Sequence, residues 1–421
     1  MEKFIIDGGR ALKGKVKISG AKNSVLPIMA ATILSGRSVH LQNVPDLQDV
    51  ATMSRLLVDI GAEIVRDDLG GCTIDASTLK SYKAPYELVK TMRASFLVLG
   101  PILAKYGRAE VSLPGGCAIG ARPVDLHVKG LESMGAKIQV ESGYVKAFAP
   151  EGLRGAEISL EITSVGATEN LIMAAVLAEG ITVIHNAARE PEILDLVDFL
   201  CKMGAVIEGV GTSTITVHGV SRLTGGSHFI IGDRVEAGTF LVAGAATGGE
   251  IEVSGINPSH LALVLEKLSL AGATVLVGEN SVKVIMGSGR PKPVDIETGV
   301  YPGFPTDMQA QFMVLNCIAN GRSIIRERIF ENRFLHVQEL SRLGAKIELR
   351  GSSTAIITGV DKLNSAELMA TDLRASSSLV LAALVAEGES VLDRVYHIDR
   401  GYHAIEEKIM DLGGVIKRVK F

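Results

Sequence analysis

Apolar positions along this chain fall into two kinds of run. Some stretches alternate apolar with polar, as in residues 156–162 (AEISLEI), which is the mark of a half-buried strand. Others are helix-length and apolar on every side, as in 170–179 (NLIMAAVLAE) and 377–387 (SSLVLAALVAE). The second kind ends near a glycine six times, at Gly36, Gly107, Gly180, Gly248, Gly321 and Gly388. Fourteen positions ahead of these glycines stand Lys22, Arg93, Gly166, Arg234, Asp307 and Arg374. A second marker keeps step: Gly61-Ala62, Gly135-Ala136, Gly204-Ala205, Gly272-Ala273, Gly344-Ala345 and Gly413-Gly414. The chain is therefore a sixfold repeat of roughly seventy residues, and such a repeat decides architecture before any local reading.

The unit beginning at Leu153 can be read in detail. The pattern predicts a strand over 156–162, a turn at Thr163-Ser164-Val165-Gly166 and an apolar helix ending near Gly180. A strand over 181–184 follows, then an amphipathic helix over 190–203 with Pro191 in its first turn. Short strands over 206–207 and 215–217 complete the unit. The order is strand, helix, strand, helix, strand, strand (βαβαββ). It also fits Lys15 to Ile74 and Ala366 to Val419. A helix apolar on every face is a buried helix. Three units closing around their first helices would give an α/β domain with helices inside and sheets outside, and six units would give two such domains. A doubly wound parallel sheet is the alternative that pattern alone leaves. Pro27 in the first repeat and Gly100-Pro101 in the second are expected to bend or interrupt their helices.

A helix start favours anions through its free amides and its dipole. Arginines and a lysine at equivalent helix starts therefore suggest a multiply anionic substrate. The net charge over 421 residues is only -4, so nothing global suggests a nucleic acid or a membrane surface as partner, and the basic character is local. Apolar residues make up 47% of the chain with 4% aromatic and no Trp, which implies cores of Ala, Val, Ile and Leu. The longest apolar runs, such as 379–386, fall well short of the ~20 residues of a membrane span. The opening MEKFIIDGGR lacks a basic segment followed by an apolar core, so no signal peptide and a cytoplasmic location are expected. Cys72, Cys117, Cys201 and Cys317 are far apart, with no CxxC pair and no Cys/His cluster. Free thiols and no metal are the expectation.

Three segments carry candidate chemistry. In 113–123 (LPGGCAIGARP), Cys117 lies among glycines with Arg122 five residues on. A nearby guanidinium lowers a thiol's pKa and raises its reactivity, whereas most cysteines are inert small hydrophobes. The other three cysteines sit in strand or helix patterns and read as structural. In 302–311 (PGFPTDMQAQ), Asp307 opens a helix, where it is either a cap or a general base. Lys22, Arg93, Arg122, Arg374 and Arg400 lie in loops or at helix starts, and arginine suits bidentate contact with carboxylate and phosphate. The segment Gly9 to Lys15 imitates part of a phosphate loop, but Val16 stands where a magnesium-binding Ser or Thr belongs.

Ten segments in order resemble the bacterial UDP-N-acetylglucosamine 1-carboxyvinyltransferase family. They are GAKNSVLP, YELVKTMRAS, LPGGCAIGARPVDLH, TSVGATEN, AAREPEI, GDRVEAGTF, YPGFPTDMQAQF, FENRFLHV, ATDLRAS and YHIDRGY. The resemblance spans essentially the whole chain. It implies an enolpyruvyl transferase fold, the two-domain inside-out α/β barrel. Residues 1–21 and 232–421 would form one domain and 22–231 the other, which carries the cysteine loop.

It further implies that Lys22, Asn23, Arg122, Arg374 and Arg400 bind phosphoenolpyruvate. Arg93, Arg122, Pro123, Val124, Asp125, Leu126, Ser164, Val165, Gly166, Asp307 and Ile329 would contact UDP-N-acetylglucosamine, with Asp372 at the same cleft. Cys117 would be the proton donor, the fosfomycin target and the site of a 2-(S-cysteinyl)pyruvic acid O-phosphothioketal adduct. Asp307 would act at the sugar 3'-hydroxyl, with Lys22 and Arg400 also catalytic. No cofactor or metal and no nucleic-acid or membrane partner is implied. One departure is visible, since some members place a lysine where this chain has Ile162. An enolpyruvyl transferase with another acceptor, or a non-catalytic sensor of precursor with this fold, are the alternatives.

Overall fold

In the computed structural model, which describes residues 2–114, 124–287 and 289–420, the residue marked by the fourteen-position spacing opens a helix in every repeat. Lys22, Arg93 and Arg234 are the first residues of the helices Lys22–Ala31, Arg93–Val98 and Arg234–Ala246. Gly166, Asp307 and Arg374 are the second residues of Val165–Ala175, Thr306–Met308 and Leu373–Val385. The second marker has an equally local cause. Gly61, Gly135, Gly204, Gly272, Gly344 and Gly413 all adopt left-handed backbone, with φ between 85° and 114°. Glycine enters that region without a Cβ penalty and ends each repeat's second helix there.

The chain divides into two compact units. One holds residues up to Ser19 and from Gly232 onward, and the other runs from Gly20 to Ile231. Each has its own core. Ile28, Met29, Leu103, Ile172 and Phe199 belong to the core of the Gly20–Ile231 unit. Phe4, Phe240, Phe312, Leu379 and Tyr402 belong to the other. The apolar helices are buried on all sides: every residue from Ser24 to Ala31, Ala167 to Ala175 and Val235 to Ala246 is buried. The strands bury alternate residues, as Ile181–His185 does. Helices lie inside and sheets outside in each unit, which favours the arrangement expected from all-round apolar helices over a doubly wound sheet.

Among the described residues, six four-stranded sheets share one plan. In the third repeat Glu157–Ser159 runs parallel to Ile181–His185, which is antiparallel to Thr214–His218, itself antiparallel to Val206–Glu208. The strand expected over 156–162 is shorter than its alternation suggested.

Three repeats are not contiguous in sequence, and this corrects the reading of Lys15–Ile74 and Ala366–Val419 as whole units. Lys13–Lys17 pairs with Glu250–Ser254, while Gly226–Phe229 takes the place beside Val39–Gln42. Glu2–Asp7 inserts between Glu389–Asp393 and Val415–Lys420. The reason is the chain's path. It leaves one unit after Ser19 and returns at Gly232, so a strand that precedes the crossing stays with the unit it came from. The stretch before the return then completes the first repeat's sheet.

Of the two proline-containing helices, the first runs unbroken through its proline and only the second is interrupted. The first repeat tolerates Pro27 in Lys22–Ala31 and tightens into a 3-10 turn at Thr32–Leu34. In the second repeat a 3-10 segment, Arg93–Val98, precedes the helix Leu99–Tyr106. Gly100 has a further role there. Its amide donates to Asn170 Oδ1 at 2.6 Å, and a Cβ on Gly100 would lie 2.2 Å from that oxygen. Only glycine lets Leu99–Tyr106 approach Val165–Ala175 so closely.

Candidate active site

In the unit that contains Asp307, a cation pair surrounds one carboxylate. Pro305 has no amide hydrogen and opens the Thr306–Met308 turn, which presents the half-buried Asp307. Asp307 Oδ1 accepts from the Arg333 guanidinium at 2.6 Å, and Oδ2 lies 3.2 Å from that of Arg374. Both arginine side chains are 6% exposed. Charge-assisted contacts of this kind are short and directional, so the carboxylate is fixed in orientation.

Arg374 is set in turn from behind. Its guanidinium donates to the Tyr402 hydroxyl at 3.3 Å. That hydroxyl lies 2.9 Å from Thr239 Oγ1, which accepts from Gln311 Nε2 at 3.1 Å. Burial works against the charge of Arg374, but Asp307, Tyr402 and Asp233 outweigh it and raise its pKa above the ordinary arginine value. Asp372 caps the Leu373–Val385 helix, accepting from the amides of Arg374 and Ala375 at 3.0 and 3.1 Å. Such a cap is one that its residue type favours. Arg400 closes the Val395–Arg400 turn. Asp399 beside it is held by Arg418 through contacts of 3.0 and 2.7 Å. Ile329 follows the strand Arg322–Arg326, and its amide donates to Glu327 Oε1 at 2.8 Å.

In the other unit Lys22 opens its helix and pairs with Asp49 Oδ2 at 3.3 Å, both groups being largely buried. Asn23, next along, is exposed. Of the residues expected to face the nucleotide sugar, Gly166 and Arg93 lie close to His127 in this unit. Val124 precedes the helix Asp125–Ser133, and Asp125 and Leu126 begin it. Ser164 caps Val165–Ala175 by accepting from the Ala167 amide at 3.3 Å. A Cβ on Gly166 would stand 3.6 Å from the His127 ring. The ring also meets Asn170 Nδ2 through Nδ1 at 2.9 Å and packs edge-on to Phe96 in the turn that Arg93 opens. Burial first, and the Arg93 charge second, push the His127 pKa down to about 3. The imidazole is neutral at pH 7, and its Nδ1 accepts from the Asn170 amide. Asp125 Oδ1 is buried with no hydrogen-bond partner among the described residues. Ile162 is 64% exposed.

Cys117, Arg122 and Pro123 lie outside the described residues, as does most of the loop 113–123. Burial raises the other thiols: Cys72 to about 11, Cys317 to about 12, and the surface-accessible Cys201 by a smaller amount. Among the described residues no group of three His, Cys, Asp or Glu is placed to hold a metal ion, and no helix is long and apolar enough to cross a membrane.

The sequence reading did not single out Arg333, Asp49, His127 or Glu327. Arg333 and His127 lie inside the segments FENRFLHV and LPGGCAIGARPVDLH, which mark their positions and not their roles. Asp49 and Glu327 carry no local signal, because each is defined by the buried group it meets.

Six repeats of one plan, three to a unit, with cationic and acidic side chains at the helix starts, define the two-domain α/β fold of the enolpyruvyl transferases. A sequence profile of EPSP synthase (3-phosphoshikimate 1-carboxyvinyltransferase) matches residues 6–409, and the chain belongs to that family. Among solved structures it is similar to the enolpyruvyl transferase NikO from Streptomyces tendae, at 25% identity over 99% of each chain with a TM-score of 0.88. It shares its fold with EPSP synthase from Acinetobacter baumannii, at 19% identity over 100% of each chain with a TM-score of 0.77.

Proposed function

We propose that this enzyme transfers the enolpyruvyl group of phosphoenolpyruvate to the 3'-hydroxyl of UDP-N-acetylglucosamine and releases phosphate, in the cytoplasm, as the entry step of peptidoglycan precursor synthesis. The observation that carries the reading is the Asp307 carboxylate fixed by Arg333 and Arg374 at 2.6 and 3.2 Å. A base and cations at one locus suit a reaction that deprotonates a hydroxyl beside a trianionic partner.

In this scheme Asp307 takes the proton of the sugar hydroxyl as its oxygen bonds to C2 of phosphoenolpyruvate. Cys117 protonates C3, giving a tetrahedral ketal. Loss of a C3 proton and cleavage of the bond between C2 and the phosphate oxygen then restore the enol ether and free phosphate. Lys22, Arg122, Arg374 and Arg400 offset the charge of phosphoenolpyruvate and of the departing phosphate, and the neutral amide of Asn23 adds a hydrogen-bond contact. Preorganised cations at developing charge are commonly the largest contribution to such catalysis. Arg93, Arg122 to Leu126, Ser164 to Gly166 and Ile329 hold the nucleotide sugar.

The acceptor is the finer point, and the family includes transfer to 3-phosphoshikimate by its own description. Phosphate release measured with phosphoenolpyruvate and each acceptor in turn tests it. Release with UDP-N-acetylglucosamine and none with 3-phosphoshikimate is expected. The reverse would replace the acceptor, and no release with either would favour a sensor.

A further inference from the structure

In four of the six repeats the residue directly after the second strand turns through left-handed backbone. These are Asn43, Asn186, Gly255 and Arg394, with φ of 58°, 55°, 81° and 60°. In two of them an asparagine amide then reaches the residue after the first strand: Asn43 Nδ2 donates to Ile230 O at 2.9 Å and Asn186 Nδ2 to Leu160 O at 3.0 Å. The second repeat, with Leu113 at this point, does not share the pattern, and the fifth departs from it differently. Its equivalent residue, Glu327, is not among those with left-handed backbone and carries a carboxylate that is 2% exposed.

That carboxylate collects four donors from three segments. Oε1 accepts from Thr298 Oγ1 at 2.8 Å and from the amides of Ile329 and Phe330 at 2.8 and 3.2 Å. Oε2 accepts from Thr306 Oγ1 at 2.8 Å. Thr306 immediately precedes Asp307, and Ile329 is a residue assigned to the nucleotide sugar. The left-handed turn at this point is made by asparagine, glycine or arginine in the four repeats that have it, and none of these brings a carboxylate there. Four accepted bonds on a buried acid instead tie the base's segment to the acceptor's backbone contact.

We infer that Glu327 is a positioning residue for the acceptor half of the reaction, setting Asp307 relative to the sugar hydroxyl through Thr306 and Ile329. The inference rests on the acceptor reading above. It predicts a split that general loss of packing does not give: acceptor capture and turnover suffer while phosphoenolpyruvate capture does not.

Steady-state kinetics on the full chain with phosphoenolpyruvate and UDP-N-acetylglucosamine, alongside thermal unfolding, test it. Glu327→Ala should lower kcat by about 10–100-fold, the scale on which small misplacements cost rate, and raise KM for the nucleotide sugar. KM for phosphoenolpyruvate should stay within about twofold, well inside that scale. Glu327→Gln should recover most of the loss, since its amide oxygen still accepts from Ile329 and Phe330 and its NH2 can donate to Thr306. Thr306→Val removes only the link to the Asp307 segment, and should lower kcat without moving the unfolding midpoint. Folded Glu327→Ala with wild-type kcat overturns the inference, as does Thr306→Val with wild-type kcat where Glu327→Ala does not fold. Wild-type protein inactive with this acceptor overturns the acceptor reading instead, and the same variants are then compared on the acceptor that supports phosphate release.

Discussion

Arg333 grips Asp307 at 2.6 Å from a side chain that is itself only 6% exposed. A substrate hydroxyl that hands its proton to Asp307 must therefore approach a carboxylate already oriented by two guanidinium groups. Under the proposed assignment Asp307→Ala should lower kcat by ~10²–10⁴, the usual scale of general-base loss. The KM for phosphoenolpyruvate should change far less, because no phosphate ligand is removed. Near-normal turnover of this variant would reduce Asp307 to a sugar contact or a helix-start acid.

Lys22 and Arg400 stand on different units, at a helix start and at the end of a turn. Both are assigned to phosphoenolpyruvate. Removing either should weaken its capture by roughly 1.5–3 kcal/mol, the range for a hydrogen bond to a charged group. KM for phosphoenolpyruvate should rise accordingly in Lys22→Ala and Arg400→Ala, with turnover also reduced as the departing phosphate loses support. Direct binding of each substrate separates the two effects. Unaltered phosphoenolpyruvate affinity in both variants would remove them from its site.

The repeat was legible because its causes are local. A helix start, a left-handed glycine and an all-round apolar helix each write themselves into a few adjacent residues, and the helices opening at Lys22, Asp307 and Arg374 fall where the spacing put them. Strand partnership is not local. Nothing within Lys13–Lys17 records that its neighbour is Glu250–Ser254, because parallel pairing depends on where the whole chain crosses between units. The same limit applies to the site. Lys22 stands out by type and position, while its partner Asp49 is an ordinary helix-start acid until burial brings the two together. Arg333 and Glu327 likewise acquire meaning only from Asp307 and Thr306.

Thiol chemistry should be confined to one cysteine. Burial holds Cys72 and Cys317 at about 11 and 12, so at pH 7 neither offers appreciable thiolate, which is the reactive form. Cys201 is the informative comparison, being accessible yet raised in pKa by its partial burial. Limited alkylation followed by peptide mass spectrometry should find label on Cys117 first. Fosfomycin should attach there and abolish activity, while Cys117→Asp should retain proton-donor chemistry and escape the drug. First labelling at Cys201 would refute the assignment of an activated Cys117.

His127 should make the Gly20–Ile231 unit sensitive to acid. Its pKa is pushed from the ordinary 6.5 down to about 3 by burial and by Arg93. In the unfolded chain the imidazole takes up a proton as pH falls through about 6.5. The folded protein does not take up that proton until about pH 3. Between those values the unfolded state binds more protons, so stability rises with pH across the window and is lost as pH falls. One proton of difference corresponds to a slope of about 1.4 kcal/mol per pH unit. His336 in the other unit is shifted in the same direction by burial, so both units contribute to the acid limb. Denaturant unfolding of wild type and His127→Gln, followed from pH 7 to 4 with probes in each unit, separates them. The variant should show a shallower pH dependence in the Gly20–Ile231 unit and an unchanged one in the other. Its glutamine cannot titrate, although it can still accept from Asn170. Parallel pH profiles for the two proteins would mean that other groups dominate the acid response and that His127 is not its source.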